Sequence, residues 1–271
     1  MEKGVSLERA LEIATQLSMQ RNPEELPLDQ ASGRILFDDL SSHVDDPRFD
    51  NSAMDGWAVR EADCKESGSV LRIVGTSQAG SAEVPPVGRG EACSIMTGAP
   101  IPEGADAIVM VEESTAHGDS VTINGPARPG FIRRRGENLT KGESPLKSGN
   151  LLTPSAISLA ATMGHDTVSV VRQPSIAVIG VGDELTPPGE PLSENSIYES
   201  NTFGISSLVK KMGGIPRRFA LIRDSIDDLR EALDGAAESC DAIITSGGVS
   251  MGKWDIVRQI MEEEGDIKFW R

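Results

Sequence analysis

From residue 175 to the C-terminus, short apolar runs alternate with helix-like segments, and this rhythm constrains the fold more than any other feature of the chain. "SIAVIG" is a near-continuous apolar run, "SNTFGISSLVKKMGG" has helical spacing, "RRFALI" reads as a strand, "SIDDLREALDGAAES" as a helix and "DAIITSGG" as a third strand. Such alternation means parallel strands joined by right-handed crossovers, with helices on both faces. Ligands of these sheets gather beyond the carboxyl ends of the strands. All three predicted ends carry polar chemistry: Asp183 and Glu184 after the first, Arg223 and Asp224 after the second, and "SGGVSMGKWD" after the third. Near the end of the chain "IKFW" reads as the start of a fourth strand, with Ile267 and Phe269 on one face.

Upstream the texture differs. Leu7, Ala10, Leu11, Ala14 and Leu17 fall at helical spacing behind Ser6, a good N-cap, and the pattern dissolves at Asn22-Pro23. Short strands broken by Gly and Pro follow, "LRIVGTS", "EACSIMTGAPIP", "DAIVMVEEST" and "SVTIN", the signature of a compact β domain. A helix returns at "TPSAISLAATMG", with Thr153 as cap, Pro154 at the first position and Gly164 at the end. The expected organisation is therefore an α/β multidomain chain. Residues 1–42 and 140–173 form an elongated α+β first domain, 43–139 an inserted β domain, and 174–271 a parallel-sheet α/β domain.

A net charge of −16 argues against a nucleic-acid partner, because phosphate backbones need a dense basic face. Without an apolar run of about 18 residues or a signal-peptide core, the chain reads as cytoplasmic with no membrane partner. Cys64, Cys93 and Cys240 are too few and too far apart for a disulfide framework or a Cys-x-x-Cys metal site. His43, His117 and His165 are scattered outside every motif, which leaves no basis for a Ser-His-Asp arrangement.

Several stretches carry two readings each. Ser246, Gly247, Gly248, Ser250 and Gly252 lie between a buried strand and a helix, where backbone amides can face an oxyanion; the same glycines also make a plain tight turn. The spacing fits neither a Walker A loop nor the dinucleotide fingerprint. "RDSIDDL" holds a capping-box pattern, Ser225 with Asp228, so acidic residues there, Asp224 included, can simply order a helix start. "DNSAMDGWAV" places Asp50, Asn51, Ser52 and Asp55 around a bend of small residues; turn propensity accounts for much of it.

Taken in order, "DNSAMDGWAV", "SIMTGAPIPEGADAIVMVE", "IRRRGENLTKGE", "GDEL", "IRDS" and "ITSGGVSMGKWD" span nearly the whole chain and resemble the molybdopterin molybdenumtransferases, the MoeA and gephyrin E-domain family. The resemblance implies the domain organisation above, with an α/β domain similar to the molybdopterin adenylyltransferases, and a homodimer whose site is shared between subunits. It implies that Asp55 and Thr97 belong to the β-domain wall of that site, and that Glu184, Asp224 and Asp255 line the α/β wall. Asp55, Glu184 and Asp255 would supply oxygen ligands to Mg²⁺, since carboxylates suit a hard cation. Ser246, Gly247, Gly248, Ser250 and Gly252 would hold the pterin phosphate, and Arg133, Arg134 and Arg135 would support anions, unless they are a solvated surface run.

The implied chemistry is insertion of molybdenum from molybdate into adenylylated molybdopterin with release of AMP, downstream of a molybdopterin adenylyltransferase. An adenylyltransferase-like enzyme and a non-catalytic scaffold of gephyrin type are the alternatives. Two departures stand out. Gly180 and Val181 occupy positions where the family usually has a hydroxyl residue before "GDEL", and the chain stops at "DIKFWR", where the family continues with a Lys-Pro-rich segment and a further β domain. The expectation from the second departure is a folded, dimerising chain with an incomplete α/β domain and little turnover.

Overall fold

The computed structural model describes residues 2–16, 22–81, 83–247 and 256–270. Two compact units emerge, Glu25–Ser169 and the pair of segments Met1–Glu24 and Val170–Arg271. The first helix, α1 (Leu7–Gln16), starts as expected, with Ser6 Oγ accepting a hydrogen bond from the Arg9 amide at 3.2 Å. Its apolar face is not the buried one: Leu7 and Leu11 are 72% and 57% exposed, and Ile13 is the buried residue. The predicted Leu17 falls outside the described residues.

The unit Glu25–Ser169 is organised by six strands: β1 (Gly56–Val59), β2 (Ser69–Ser77), β3 (Glu91–Ile95), β4 (Ala107–Met110), β5 (Ser114–His117) and β6 (Ser120–Ile123). They form one sheet in the order β4-β1-β3-β2-β6-β5. Every pair is antiparallel except β2 with β3. Side chains alternate between faces. Trp57, Val59, Leu71, Val109, Val121 and Ile123 pack in one buried cluster, while Ala58, Cys93, Ile95, Ile108 and Ile132 pack in another. Both faces are therefore covered, which explains strands with so little polar alternation. Segments flanking the sheet return beside each other through antiparallel bridges at Ile35–Leu151, Leu40–Leu146 and Asp46–Leu139. Helix α2 (Pro154–Thr162) then forms with the predicted cap, Thr153 Oγ1 accepting from the Ala156 amide, and Gly164 follows at φ 93°.

In the other unit, β7 (Ser175–Gly180), α3 (Asn201–Lys211), β8 (Ile215–Arg218), α4 (Ile226–Ser239), β9 (Ala242–Ser246) and α5 (Ile256–Glu264) follow the predicted alternation. The three strands are parallel in the order β8-β7-β9. Ala177, Ile179 and Val181 pack against Leu229, Leu233 and Ala236 of α4 and Ile256, Val257 and Ile260 of α5. Two details differ from expectation. β8 spans Ile215–Arg218, so "FALI" leaves the ladder and only Ile222 returns, bridging Val181. Pro216 is tolerated because β8 is an edge strand among the described residues. Phe269–Trp270 does not extend this sheet; it pairs in parallel with Glu2–Lys3 in a separate two-stranded sheet.

Candidate functional site

The bend at Asp50 to Gly56 is built by its own polar groups. Ser52 is fully buried; its amide donates to Ala99 O and its carbonyl accepts from the Gly98 amide, which hangs residues 96–99 on residue 52. Asn51 and Ser52 also pair with Arg133 and Ile132. Gly56 is obligatory: a Cβ there would lie 1.9 Å from Val109 O, so the backbone of β1 and β4 could not approach as it does. These constraints aim Asp55 at Thr97. Asp55 Oδ1 accepts from the Thr97 amide at 2.6 Å and from Thr97 Oγ1 at 2.9 Å. The amide bond first, and the hydroxyl second, hold the exposed Asp55 carboxyl below the usual carboxylate range.

The arginine run is divided. Arg134 pairs with Asp50 Oδ2 at 2.6 Å, and Arg135 donates through its amide to Asp50 Oδ1 at 2.8 Å and through Nε to Asp45 Oδ2 at 2.6 Å. Both guanidinium groups thus already have carboxylate partners. Arg133, opposite Asn51 in its short ladder, forms no ion pair among the described residues.

In the α/β unit the strand order reverses at β7, the switch point where such sheets bind ligands. Gly180 and Ser246 are register partners at the carboxyl ends, and the Val181 amide donates to Ser246 O at 2.9 Å. Gly247 follows at φ 92°, and a Cβ on it would lie 2.0 Å from Val181 O. A cleft of about 190 Å³ opens here, lined by Glu184, Tyr198, Glu199, Asn201, Ser246 and Gly247 among others. Asn201, the first residue of α3, donates through Nδ2 to Ser246 Oγ at 2.9 Å. Glu199 is buried at 3% exposure, and its two oxygens accept from the Thr202 amide and hydroxyl at 2.6 Å each. Neither Asn201 nor Glu199 stood out in the sequence; the available signal was a polar run, "YESN", at the first strand-to-helix passage.

Asp224 is exposed, and its amide donates to Asp183 Oδ1 at 3.3 Å. The cap of α4 is Ser225, whose Oγ accepts from the Asp228 amide, so Asp224 is not needed to start the helix. Gly248, Ser250, Gly252 and Asp255 lie outside the described residues. Among the described residues no three Asp, Glu, His or Cys side chains gather as a metal ion would require. Asp55 and Glu184 stand in different units.

The remaining nucleophiles are quiet. Cys64, Cys93 and Cys240 are free, and burial, reinforced by Asp63 and Asp106, pushes the Cys64 thiol up to about 11. His43 and His165 lie against each other with ring centroids 4.1 Å apart, and each ring nitrogen bond goes to a backbone carbonyl. Among the described residues, no helix is long and apolar enough to cross a membrane.

Comparison with known proteins matches both parts of the chain. The MoeA N-terminal region (domain I and II) matches residues 5–164, and a probable molybdopterin binding domain matches residues 177–271. The chain is 38% identical over 258 residues to a molybdopterin molybdenumtransferase of Haemophilus influenzae, covering 94% of this chain and 64% of that protein. It is 37% identical to molybdopterin molybdenumtransferase 2 of Mycobacterium tuberculosis, covering 93% of this chain and again 64% of the relative. The chain thus spans less than two thirds of the length of both relatives. A molybdopterin biosynthesis MoeA protein from Pyrococcus horikosii superposes with a TM-score of 0.84 at 32% identity, covering 97% of this chain and 68% of the other. With MoeA N-terminal domains followed by a parallel-sheet α/β domain of the molybdopterin-binding type, the chain belongs to the MoeA family.

Proposed function

We propose that the chain serves in molybdenum cofactor biosynthesis, inserting molybdenum from molybdate into adenylylated molybdopterin with release of AMP. The observation that carries this reading is the cleft at the strand-order reversal, where Gly247, Ser246, Asn201 and Glu184 meet at the carboxyl ends of β7 and β9. A left-handed glycine directly after a parallel strand leaves room for backbone amides to face a phosphate. The matched N-terminal region over residues 5–164 disfavours a plain adenylyltransferase, which has no use for it.

Cleaving a phosphoanhydride develops negative charge on the leaving phosphate oxygen, so positioning and charge neutralisation carry most of the catalysis. The Thr97 amide and hydroxyl bonds favour the ionised form of Asp55. Its role in this reading is that of a fixed anion, with Thr97 as its positioning residue. Asp55, Glu184 and Asp255 are oxygen donors that suit Mg²⁺, and the ion, when bound, would neutralise phosphate and molybdate charge. Asp224 joins Glu184 on the α/β wall in this reading, and Gly248, Ser250 and Gly252 are assigned to the pterin phosphate. Of the three arginines, Arg133 is the one best suited to an anion, since Arg134 and Arg135 are paired. In this reading a cytoplasmic homodimer receives its substrate from a molybdopterin adenylyltransferase, and each site draws one wall from each subunit.

Calorimetric titration with adenylylated molybdopterin tests the reading. The expected result is saturable binding that strengthens with Mg²⁺ and weakens on Glu184→Gln. Absence of binding by the folded chain would refute it.

A further inference from the structure

A second cleft, of about 240 Å³, lies in the α/β unit and is lined by Phe203, Ser206, Ser207, Lys210, Pro216 and Arg218. The four residues from α3 stand at i, i+3, i+4 and i+7, a single stripe of the helix. Pro216 and Arg218 are two apart on β8 and share the face that meets this stripe. Phe203, Ser207 and Lys210 of this stripe are exposed, and Ser206 is its buried member.

Ser206 Oγ is the atom that stands out. The residue is 8% exposed and its hydroxyl has no hydrogen-bond partner, although a buried hydroxyl normally finds one. Beside it, the Arg218 guanidinium lies over the Phe203 ring, 3.4 Å from the centroid, which fixes the plane of the cation. Lys210 completes the rim. Its place in the last turn of α3 suits the helix dipole, and Arg218 is an exposed charge on an edge strand. Neither cation forms an ion pair among the described residues, in a chain whose net charge is −16. Two unpaired cations and one desolvated hydroxyl donor converging on a small cavity are complementary to a tetrahedral oxyanion.

We propose that this cleft binds a phosphate group, with Ser206 Oγ donating to one oxygen and Arg218 and Lys210 donating to the others. It is separate from the cleft at Ser246 and Gly247, and it does not depend on the function proposed above. The group could be inorganic phosphate or a phosphomonoester, which offer the same three oxygens.

Titration of the whole chain with inorganic phosphate, and in parallel with AMP, followed by amide NMR, tests the site. The expected shifts centre on Ser206, Ser207 and Arg218. Ser206→Ala should weaken phosphate binding about tenfold while raising, not lowering, the unfolding midpoint of the ligand-free protein, because it removes a buried hydroxyl that has no protein partner there. Arg218→Gln should weaken it at least as much. Tighter binding of inorganic phosphate identifies the free ion as ligand, and tighter binding of AMP a monoester. Shifts confined to residues around Ser246, or equal affinity in Ser206→Ala and wild type, would overturn the proposal. So would an Arg218→Gln effect on self-association that phosphate does not alter, since the cleft would then be serving a contact between copies.

Discussion

Gly247→Ala and Gly204→Ala are the same chemical change, yet they should move stability in opposite directions. At Gly247 the backbone has φ 92°, and an added Cβ would stand 2.0 Å from the Val181 carbonyl oxygen. The left-handed conformation alone costs a non-glycine residue about 1–2 kcal/mol. Relief of the clash must move the end of β9 away from β7, which endangers the Val181 amide to Ser246 O bond of 2.9 Å. A hydrogen bond lost there costs about 1 kcal/mol more. The expected destabilisation is therefore about 2–3 kcal/mol. Gly204 lies inside α3 with nothing within 4 Å of its would-be Cβ. Alanine there should stabilise by about 1 kcal/mol, the helix-propensity difference. Native-state amide exchange at Ile179 and Ile243, in the paired strands β7 and β9, reads this unit on its own. A Gly247→Ala protein within about 0.5 kcal/mol of wild type would refute the claim that close backbone approach shapes this strand end.

Three other outcomes are expected. The Asp55 carboxyl should titrate below the ordinary range by carbon NMR, and Thr97→Ala should raise its midpoint only part of the way, since the residue 97 amide still donates. A depressed folded value means stabilisation present above the unfolded pKa and lost as pH falls through the folded one, so the stability gap between wild type and Thr97→Ala should close on acidification. Ser225→Ala should cost α4 about 1 kcal/mol by denaturant unfolding, whereas Asp228→Asn, whose amide and not carboxylate engages the cap, should cost no more than about 0.5 kcal/mol. If each site takes one wall from each subunit, as proposed, subunit exchange between Asp55→Asn and Glu184→Gln versions of the full-length enzyme should restore activity lost by each alone, because one site of each heterodimer then carries neither lesion; heterodimers without recovery would place both walls in one chain.

What the sequence disclosed was whatever rests on periodicity and local chemistry. The Ser6, Thr153 and Ser225 caps were legible because a cap needs only its own helix start. The β7-α3-β8-α4-β9 alternation was legible because parallel strands must be apolar and must be separated by crossovers. The end of β8 at Arg218 was not, since "FALI" is as apolar as a strand and only the path to Ile222 removes it from the ladder. Nor was the pairing of Phe269–Trp270 with Glu2–Lys3, a contact between the two ends of the described chain that no local pattern encodes. On the candidate sites, "TGAP" and "DNSAMDG" announced polar bends, but the Asp55–Thr97 bond spans 42 positions and needed the β1–β3 ladder to bring them together. Asn201 and Ser206 were invisible for a different reason: Asn and Ser on a helix are ordinarily solvated, and only the bond of Asn201 to Ser246 Oγ and the burial of Ser206 make them unusual.

An anionic ligand on so acidic a chain looks at first like a contradiction, and screening removes much of it. At physiological ionic strength the screening length is about 8 Å, so carboxylates farther away than that contribute little at either cleft. What matters is the charge within one screening length and whether it is already compensated. Asp45 and Asp50 are compensated by Arg134, Arg135 and backbone amides, and Asp241 by Arg172 and the Ser175 amide. Arg218 and Lys210 form no ion pair among the described residues, and Ser206 Oγ is a buried donor without a protein partner. The net charge therefore bears on association rate, which should be slow for anions at low salt and rise as salt is added. Local donors set the affinity. A phosphate on-rate that falls with added salt would show instead that long-range attraction, absent from this charge distribution, guides the ligand.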